Sequence, residues 1–320
     1  SYQDNEEAGK ATVVITGKGN YTGSNKAEFV IYKNLDSAED YADTIELASP
    51  IPQQYYTGSA IELKPEDVSL QDALKDGGKK AIDSSAYDLG NYKNHTAVGE
   101  ATVNVTGKTD GYYRGSRELT FTIATNSIAN VDVTLDNTEF DFTGEKIEPN
   151  VTVSYNGAPL TKDVDYTVRY QNNINAGSKE TSGEVRAPQV MIFATSGGNF
   201  DGVGGASGNM KTVYFTIYPK QLNRTNYEYN YPKAPDAIPG NNGSYDYSSV
   251  SLKDTDRNKQ LSKGTDYMVD CKFVSAGEGP DDPDNGKLTF IGRGNYEGET
   301  SFDVLLEKQE IVQSDVTVTF

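Results

Sequence analysis

The stretch Gly99-Glu-Ala-Thr-Val-Asn-Val-Thr-Gly107, a turn through Tyr113-Arg-Gly115, and then Leu119-Thr-Phe-Thr-Ile123 carries a period of two. Ala101, Val103 and Val105 alternate with Thr102, Asn104 and Thr106, and Leu119, Phe121 and Ile123 alternate with Thr120 and Thr122. Such alternation describes strands with one face on a core and the other in water. The Gly-rich turn between them supplies the positive-φ positions that hairpins need.

The same signature occurs four times. Gly9 to Gly17 is followed by Gly19-Asn-Tyr21-Thr-Gly23 and Ala27-Glu-Phe-Val-Ile-Tyr32. Val190-Met-Ile-Phe193 leads to Gly198-Asn-Phe200-Asp-Gly202 and Val213-Tyr-Phe-Thr-Ile217, and Lys287-Leu-Thr-Phe-Ile-Gly292 leads to Asn295-Tyr296-Glu-Gly298 and Ser301-Phe-Asp-Val-Leu305. From Tyr21 to Tyr113, Phe200 and Tyr296 the steps are 92, 87 and 96 residues. The approach to each signature also repeats: Tyr56-Thr-Gly58 matches Phe142-Thr-Gly144, and Lys162-Asp-Val-Asp-Tyr166 matches Lys263-Gly-Thr-Asp-Tyr267. A small-residue corner then follows at Ala8-Gly9, Gly99, Ala176-Gly177 and Ala276-Gly277. Self-similarity at a fixed period is the mark of a repeat architecture.

Complete repeats are expected at 34–125, 126–220 and 221–308. Residues 1–33 match only the second half of a repeat, and 309–320 only its opening strand, Asp315-Val-Thr-Val-Thr-Phe320 matching Asp132-Val-Thr-Leu-Asp136. The phase therefore reads as a window on a longer array. In the repeat 126–220, strands are expected at 131–135, 139–143, 147–155, 164–171, 188–194 and 212–218. The one helix candidate is Pro65 to Lys75. These features predict an all-β chain of tandem immunoglobulin-like β-sandwich repeats, arranged as an elongated array with short linkers at Thr125-Asn126 and Pro219-Lys220-Gln221.

Composition narrows the function. The 320 residues hold 29 Lys+Arg against 47 Asp+Glu, a formal charge of −18. That balance argues against nucleic-acid or anionic-membrane partners, which need clustered cations. One Cys (Cys271) gives no intrachain disulfide framework, and one His (His95) gives no multi-histidine metal site. No stretch approaches the ~20 apolar residues of a membrane span. The first ten residues are polar and acidic, so no signal peptide is read there. Catalytic residues, cofactors and metals are all read as none.

The pattern of an aromatic-Thr-Gly, a Lys-x-x-Asp-Tyr, an Ala-Gly corner and the Ala-Thr-Val … Gly-Lys-Gly-Asn-Tyr-Thr-Gly … Phe-x-Ile signature resembles repeats of large surface proteins in Gram-positive, Clostridia-like bacteria. The likeness covers essentially the whole chain. It implies a non-enzymatic, extracellular and wall-associated stalk or adhesin segment that spaces or displays binding regions. The alternative it implies is a carbohydrate-binding accessory region of an extracellular polysaccharide-degrading protein. A host or environmental glycan or a protein ligand is the partner class in either case.

Individual residues support few sharper readings. Tyr227, Tyr229, Tyr231, Tyr245 and Tyr247 surround a Pro/Gly/Asn loop and are the candidate ligand contacts, as an exposed sugar-stacking platform. The turn aromatics Tyr21, Tyr113, Phe200 and Tyr296 read as caps on each sandwich core. His95 reads as a loop histidine and Cys271 as a small hydrophobe on a strand. Asp281-Asp282-Pro283-Asp284-Asn285-Gly286 reads as a solvated acidic turn, since it lacks the spacing of a calcium loop. A Lys–Asn cross-link would need a buried Lys beside Asn and a carboxylate, and Lys26 and Lys211, which enter late strands, do not sit clearly on an apolar face. Finally, Val13, Ile15, Phe29 and Ile31 form an apolar face to which the tail of another copy could add, a head-to-tail self-association.

Overall fold

The computed structural model describes residues 1–36, 45–74, 77–204, 209–241, 244–279 and 281–308. All its long elements are strands. Among the described residues, helix is confined to the single turns Pro65–Asp67, Ser84–Ala86, Ile128–Asn130 and Lys179–Ser182. The period-two pattern is realised directly. Gly99–Gly107 buries Ala101, Val103 and Val105, and its antiparallel partner Ser116–Ala124 buries Leu119, Phe121 and Ile123. Each such side chain withdrawn from water contributes roughly 1.5–3 kcal/mol for the large aliphatics and Phe.

Residues 45–124 pair into two sheets that pack as a sandwich. One sheet runs Gln54–Tyr55, Ser116–Ala124, Gly99–Gly107, Tyr87–Lys93, and the other Ile45–Leu47, Leu70–Ala73, Lys79–Ala81. Side chains tie the sheets together: Arg117 Nη1 donates to the Ile45 carbonyl at 2.6 Å, and the buried Tyr87 hydroxyl donates to the Val68 carbonyl. Residues 227–306 follow the same plan. Ala237–Ile238, Glu299–Leu306, Asp284–Gly292 and Tyr267–Ser275 form one sheet, and Tyr227–Asn230, Ser251–Asp254 and Lys259–Gln260 the other. The Tyr229 and Phe290 rings, one from each sheet, meet edge-on at 4.9 Å. In both repeats the last long strand carries a short parallel strand on its outer edge.

Residues 126–220 contribute the strands Asp132–Leu135, Glu139–Asp141, Val151–Tyr155, Tyr166–Gln171, Gln189–Ala194, Lys211–Tyr214 and Thr216–Tyr218. The expected strand at 147–155 begins only at Val151, because the Ile147 amide is taken by the Asn173 carbonyl. The final strand is broken at Phe215, whose amide bonds to the Pro188 carbonyl. By its contacts the chain forms two compact units, one of residues 1–134, 152–168 and 192–211, the other of 135–151, 169–191 and 212–320.

The helix expected over Pro65 to Lys75 is a correction. Only Pro65–Asp67 turns, and Leu70–Ala73 is a strand hydrogen-bonded on both sides, burying Leu70 and Asp72 in alternation. Sheet pairing overrides the helical propensity of Leu, Gln and Ala. Residues 1–33 form the three-stranded sheet Tyr2–Gln3, Gly9–Thr16, Ser24–Ile31, with Ile15 and Phe29 exposed. The tail 309–320 lies outside the described residues.

One glycine explains a fixed point of the signature. A Cβ on Gly107 would lie 2.2 Å from the Tyr113 carbonyl oxygen, so the turn can close only over a residue without a side chain.

Candidate functional site

Three short linkers share one geometry. Lys33–Asn34 pairs in parallel with Tyr113–Arg114, Asn126–Ser127 with Phe200–Asp201, and Lys220–Gln221 with Tyr296–Glu297. Each linker is thus a two-residue strand laid against the aromatic turn of the repeat it enters. The amides of Lys33, Asn126 and Lys220 donate to the carbonyls of Tyr112, Asn199 and Asn295, and those of Leu35 and Leu222 to Arg114 and Glu297. Backbone pairing of this kind satisfies the linker's polar groups within the protein.

The first side chain of each linker then enters the repeat ahead. Lys33 Nζ contacts Asp72 Oδ2, with side-chain exposures of 11% and 1%. Lys220 Nζ lies 2.8 Å from Asp254 Oδ1 and 2.9 Å from Asp256 Oδ2, and Asp254 is wholly buried. Asp254 also accepts from the Arg257 amide at 3.3 Å and the Tyr296 hydroxyl at 3.4 Å, while Arg257 Nη1 donates to that hydroxyl at 2.9 Å. The middle junction substitutes a neutral pair: Asn126 Nδ2 donates to the Tyr155 hydroxyl at 2.7 Å and to the Tyr56 carbonyl at 3.2 Å. A buried carboxylate needs such partners, since an unpaired charge out of water is costly.

Aromatic rings seal the same places. Phe200 meets Tyr56 edge-on at 5.3 Å and Tyr155 at 5.2 Å, and Tyr296 meets Phe142 at 5.7 Å and Tyr227 at 6.2 Å. Tyr56 and Phe142 are the aromatics of the two Thr-Gly motifs, so each belongs to the repeat behind. The preceding Asn completes the contact: Asn199 Oδ1 accepts from the Val98 amide at 3.0 Å and Asn295 Oδ1 from the Ala176 amide at 2.7 Å, at the small-residue corners. Burial pushes the Tyr113 and Tyr296 phenols up to about 12, helped at Tyr113 by the nearby Asp72 and Glu7 carboxylates.

The turn aromatics are therefore not simple caps on their own cores. Phe200 packs between Tyr56 and Tyr155 and Tyr296 between Phe142 and Tyr227, both buried, and Tyr21 is 79% exposed. What the arrangement does chemically is dock: a cation or amide is inserted, neutralised and covered. The sequence marks Asn126 and Lys220 only as linker residues, and does not mark Lys33, Asp72, Tyr155 or Asp254. The available signal was the recurrence of Ile-Tyr-Lys33 and Ile-Tyr-Pro-Lys220 after the last strand.

The five candidate tyrosines differ in burial. Tyr227 is buried against Tyr296, and Tyr229 is half-buried against Phe290 and Phe302. Tyr231, Tyr245 and Tyr247 are half-buried, and Tyr231 lies 4.8 Å from the Phe302 ring, which the Arg224 guanidinium covers at 4.7 Å. An open polar groove of about 510 Å³ lies beside Arg224, lined also by Lys287, Glu299 and Asp303. His95 is half-buried with its ring 5.2 Å from Tyr92. Burial pushes the Cys271 thiol up to about 11.

In the acidic turn, Asp284 Oδ1 accepts from the Gly277 amide at 3.1 Å, and no group of three or more potential metal ligands occurs among the described residues. Lys26 is exposed, with its backbone amide on Asn25 Oδ1 at 2.9 Å, and Lys211 Nζ donates to the Ala129 carbonyl at 3.5 Å.

No protein-family description matches the chain, and no curated protein does. Among solved structures it is similar to the extracellular cadherin domains 1–5 of protocadherin gamma B2, at 9% identity and TM-score 0.26, over 94% of this chain and 66% of that one. It is also similar to the protocadherin gammaB4 extracellular domain, at 7% identity and TM-score 0.24, over 96% and 60%. The chain spans about two thirds or less of the length of these proteins. At such TM-scores the fold assignment stands on the sheet pairing and burial described above.

Proposed function

We propose that the chain is a non-enzymatic, extracellular segment of a surface protein, in which β-sandwich repeats space or display binding regions in the manner of a stalk or adhesin. A Gram-positive, wall-associated setting is the source the sequence pattern suggests. The observation that carries the reading is the repeated junction. Three linkers each insert a backbone pair and a half-buried side chain into the following repeat, which is how a chain holds successive repeats at a set spacing. A flexible tether would leave those residues in water.

Single-molecule pulling on the full chain tests this. The reading predicts discrete unfolding steps, each releasing about 300 Å for a repeat of this length. It also predicts no hydrolysis of a polysaccharide and peptide panel. Extension at low force without steps, or turnover of a substrate that survives repurification, would contradict it.

A second reading, carbohydrate binding, is favoured by the Arg224–Phe302–Tyr231 stack beside its polar groove. Stacked aromatics flanked by charged donors suit a sugar face and its hydroxyls. A glycan array separates the two: selective binding lost in Tyr231→Ala and Arg224→Ala supports the second reading, and an array without selective signal supports the first.

A further inference from the structure

The strand Tyr267–Ser275 closes one side of the four-stranded sheet in repeat 221–308. Its register sets Met268 opposite Ile291, Asp270 opposite Thr289 and Lys272 opposite Lys287. The Arg293 amide reaches the Asp266 carbonyl, whereas the Gly292 amide turns to Gly298 on the other flank. Backbone direction alternates along a strand, so Met268, Asp270 and Lys272 bond inward to the sheet. Val269, Cys271 and Phe273 turn their amides and carbonyls to the outer edge. Among the described residues no strand pairs with that edge. The Tyr247 phenol lies beside the Cys271 backbone amide, and Phe273 and Val274 are 54% and 61% exposed.

This strand is complementary to itself. Laid antiparallel on a copy centred at Cys271, it sets Asp270 against Lys272, Val269 against Phe273 and Met268 against Val274, twice over by symmetry. The outward residues Val269, Cys271 and Phe273 would form the hydrogen-bonded pairs. Asp270 and Lys272 would fall at non-hydrogen-bonded positions, where cross-strand side chains are closest. Moving the centre by one residue either way puts Asp270 against Asp270 or Lys272 against Lys272. The charges therefore disfavour both neighbouring registers, and the Asp270–Lys272 pair within each chain, at 3.6 Å, meets its mirror image in a cluster of four alternating charges.

We propose that Tyr267–Ser275 is a self-association edge, through which two copies of this chain join antiparallel about a two-fold axis at Cys271 and continue the sheet across the contact. The occupant is a second copy because the charge and apolar pattern matches itself from Met268 to Val274. Such a contact is isologous and closes as a dimer. The Tyr247 hydroxyl competes for the Cys271 amide and must swing aside, so it weakens the association.

Sedimentation equilibrium of the full chain over a concentration series is the test, with circular dichroism to verify the fold of each variant. The expected result is a monomer–dimer equilibrium in the wild type, weakened about tenfold or more by Lys272→Asp or Asp270→Lys. The double reversal Asp270→Lys/Lys272→Asp restores it, since each residue again faces its opposite. Tyr247→Phe shifts the equilibrium toward dimer. Monomers up to about 1 mM in both wild type and Tyr247→Phe would overturn the proposal. So would a dimer indifferent to the single reversals, a double reversal that fails to restore association, or growth into filaments.

Discussion

Lys220 and Asp254 lie 34 residues apart in sequence and 2.8 Å apart in space, the ammonium of a linker held on a carboxylate wholly withdrawn from solvent. Asp254 pairs across the strands with Tyr227, whose ring lies 5.2 Å from the same ammonium. The linker is thereby part of the repeat it enters.

Removing one partner of this pair costs more than removing both. Asp254→Ala leaves Lys220 with only the more exposed Asp256 and takes the acceptor from the Arg257 amide and the Tyr296 hydroxyl, so it is expected to destabilise the surrounding sandwich by about 1–3 kcal/mol. The double variant Lys220→Met/Asp254→Leu should recover most of that loss, since an apolar pair needs no neutralisation. Denaturant unfolding of the two variants and the wild type measures both values. A double variant no better than Asp254→Ala would contradict the account.

The neutral junction should respond more weakly. Tyr155→Phe keeps the ring contacts with Tyr56 and Phe200 and deletes only the acceptor for Asn126 Nδ2. About 0.5–1.5 kcal/mol is expected, because Asn126 keeps its bond to the Tyr56 carbonyl. The same unfolding experiment, run with Asp254→Ala alongside, ranks the two junctions.

Alkaline pH should loosen the junctions through their tyrosines. Tyr113 and Tyr296 are raised from the ordinary value near 10 to about 12 in the folded chain, mainly by burial. A raised folded-state value means the native state holds the proton more tightly. The stability it contributes is complete below about pH 10 and is lost as pH rises through about 12. The denaturant midpoint should fall between about pH 9 and pH 11.5, with phenolate absorbance from these residues emerging as the chain unfolds. A midpoint constant over that range would be inconsistent with buried phenols.

Much of the fold was legible because its signals are local. Ala101, Val103 and Val105 announce a half-buried strand from three adjacent alternations, and the expected strand at 188–194 differs from Gln189–Ala194 by one residue. Leu70–Ala73 was missed because its four residues favour a helix in isolation and become a strand only between Ile45–Leu47 and Lys79–Ala81. The junction was the least legible part. Lys33 and Asp72 are 39 residues apart, and the middle repeat replaces their charges with Asn126 and Tyr155, so no shared motif marks the contact. The role of Phe200 and Tyr296 was misread for a related reason. A recurring aromatic looks like a core cap until its partners, Tyr56 and Phe142, prove to come from the repeat behind. Tyr227 likewise looked like a loop residue, but its strand turns it into the core.

The central claim is that linkers are docked, and amide hydrogen exchange at the linkers tests it most directly. The amides of Lys33, Leu35, Lys220 and Leu222 donate to Tyr112, Arg114, Asn295 and Glu297. They should exchange as slowly as the amides within the flanking strands Ser116–Ala124 and Glu299–Leu306, and Asp254→Ala should release Lys220 and Leu222 while leaving Lys33 and Leu35 protected. Exchange of all four at the rate of an exposed loop would contradict the account.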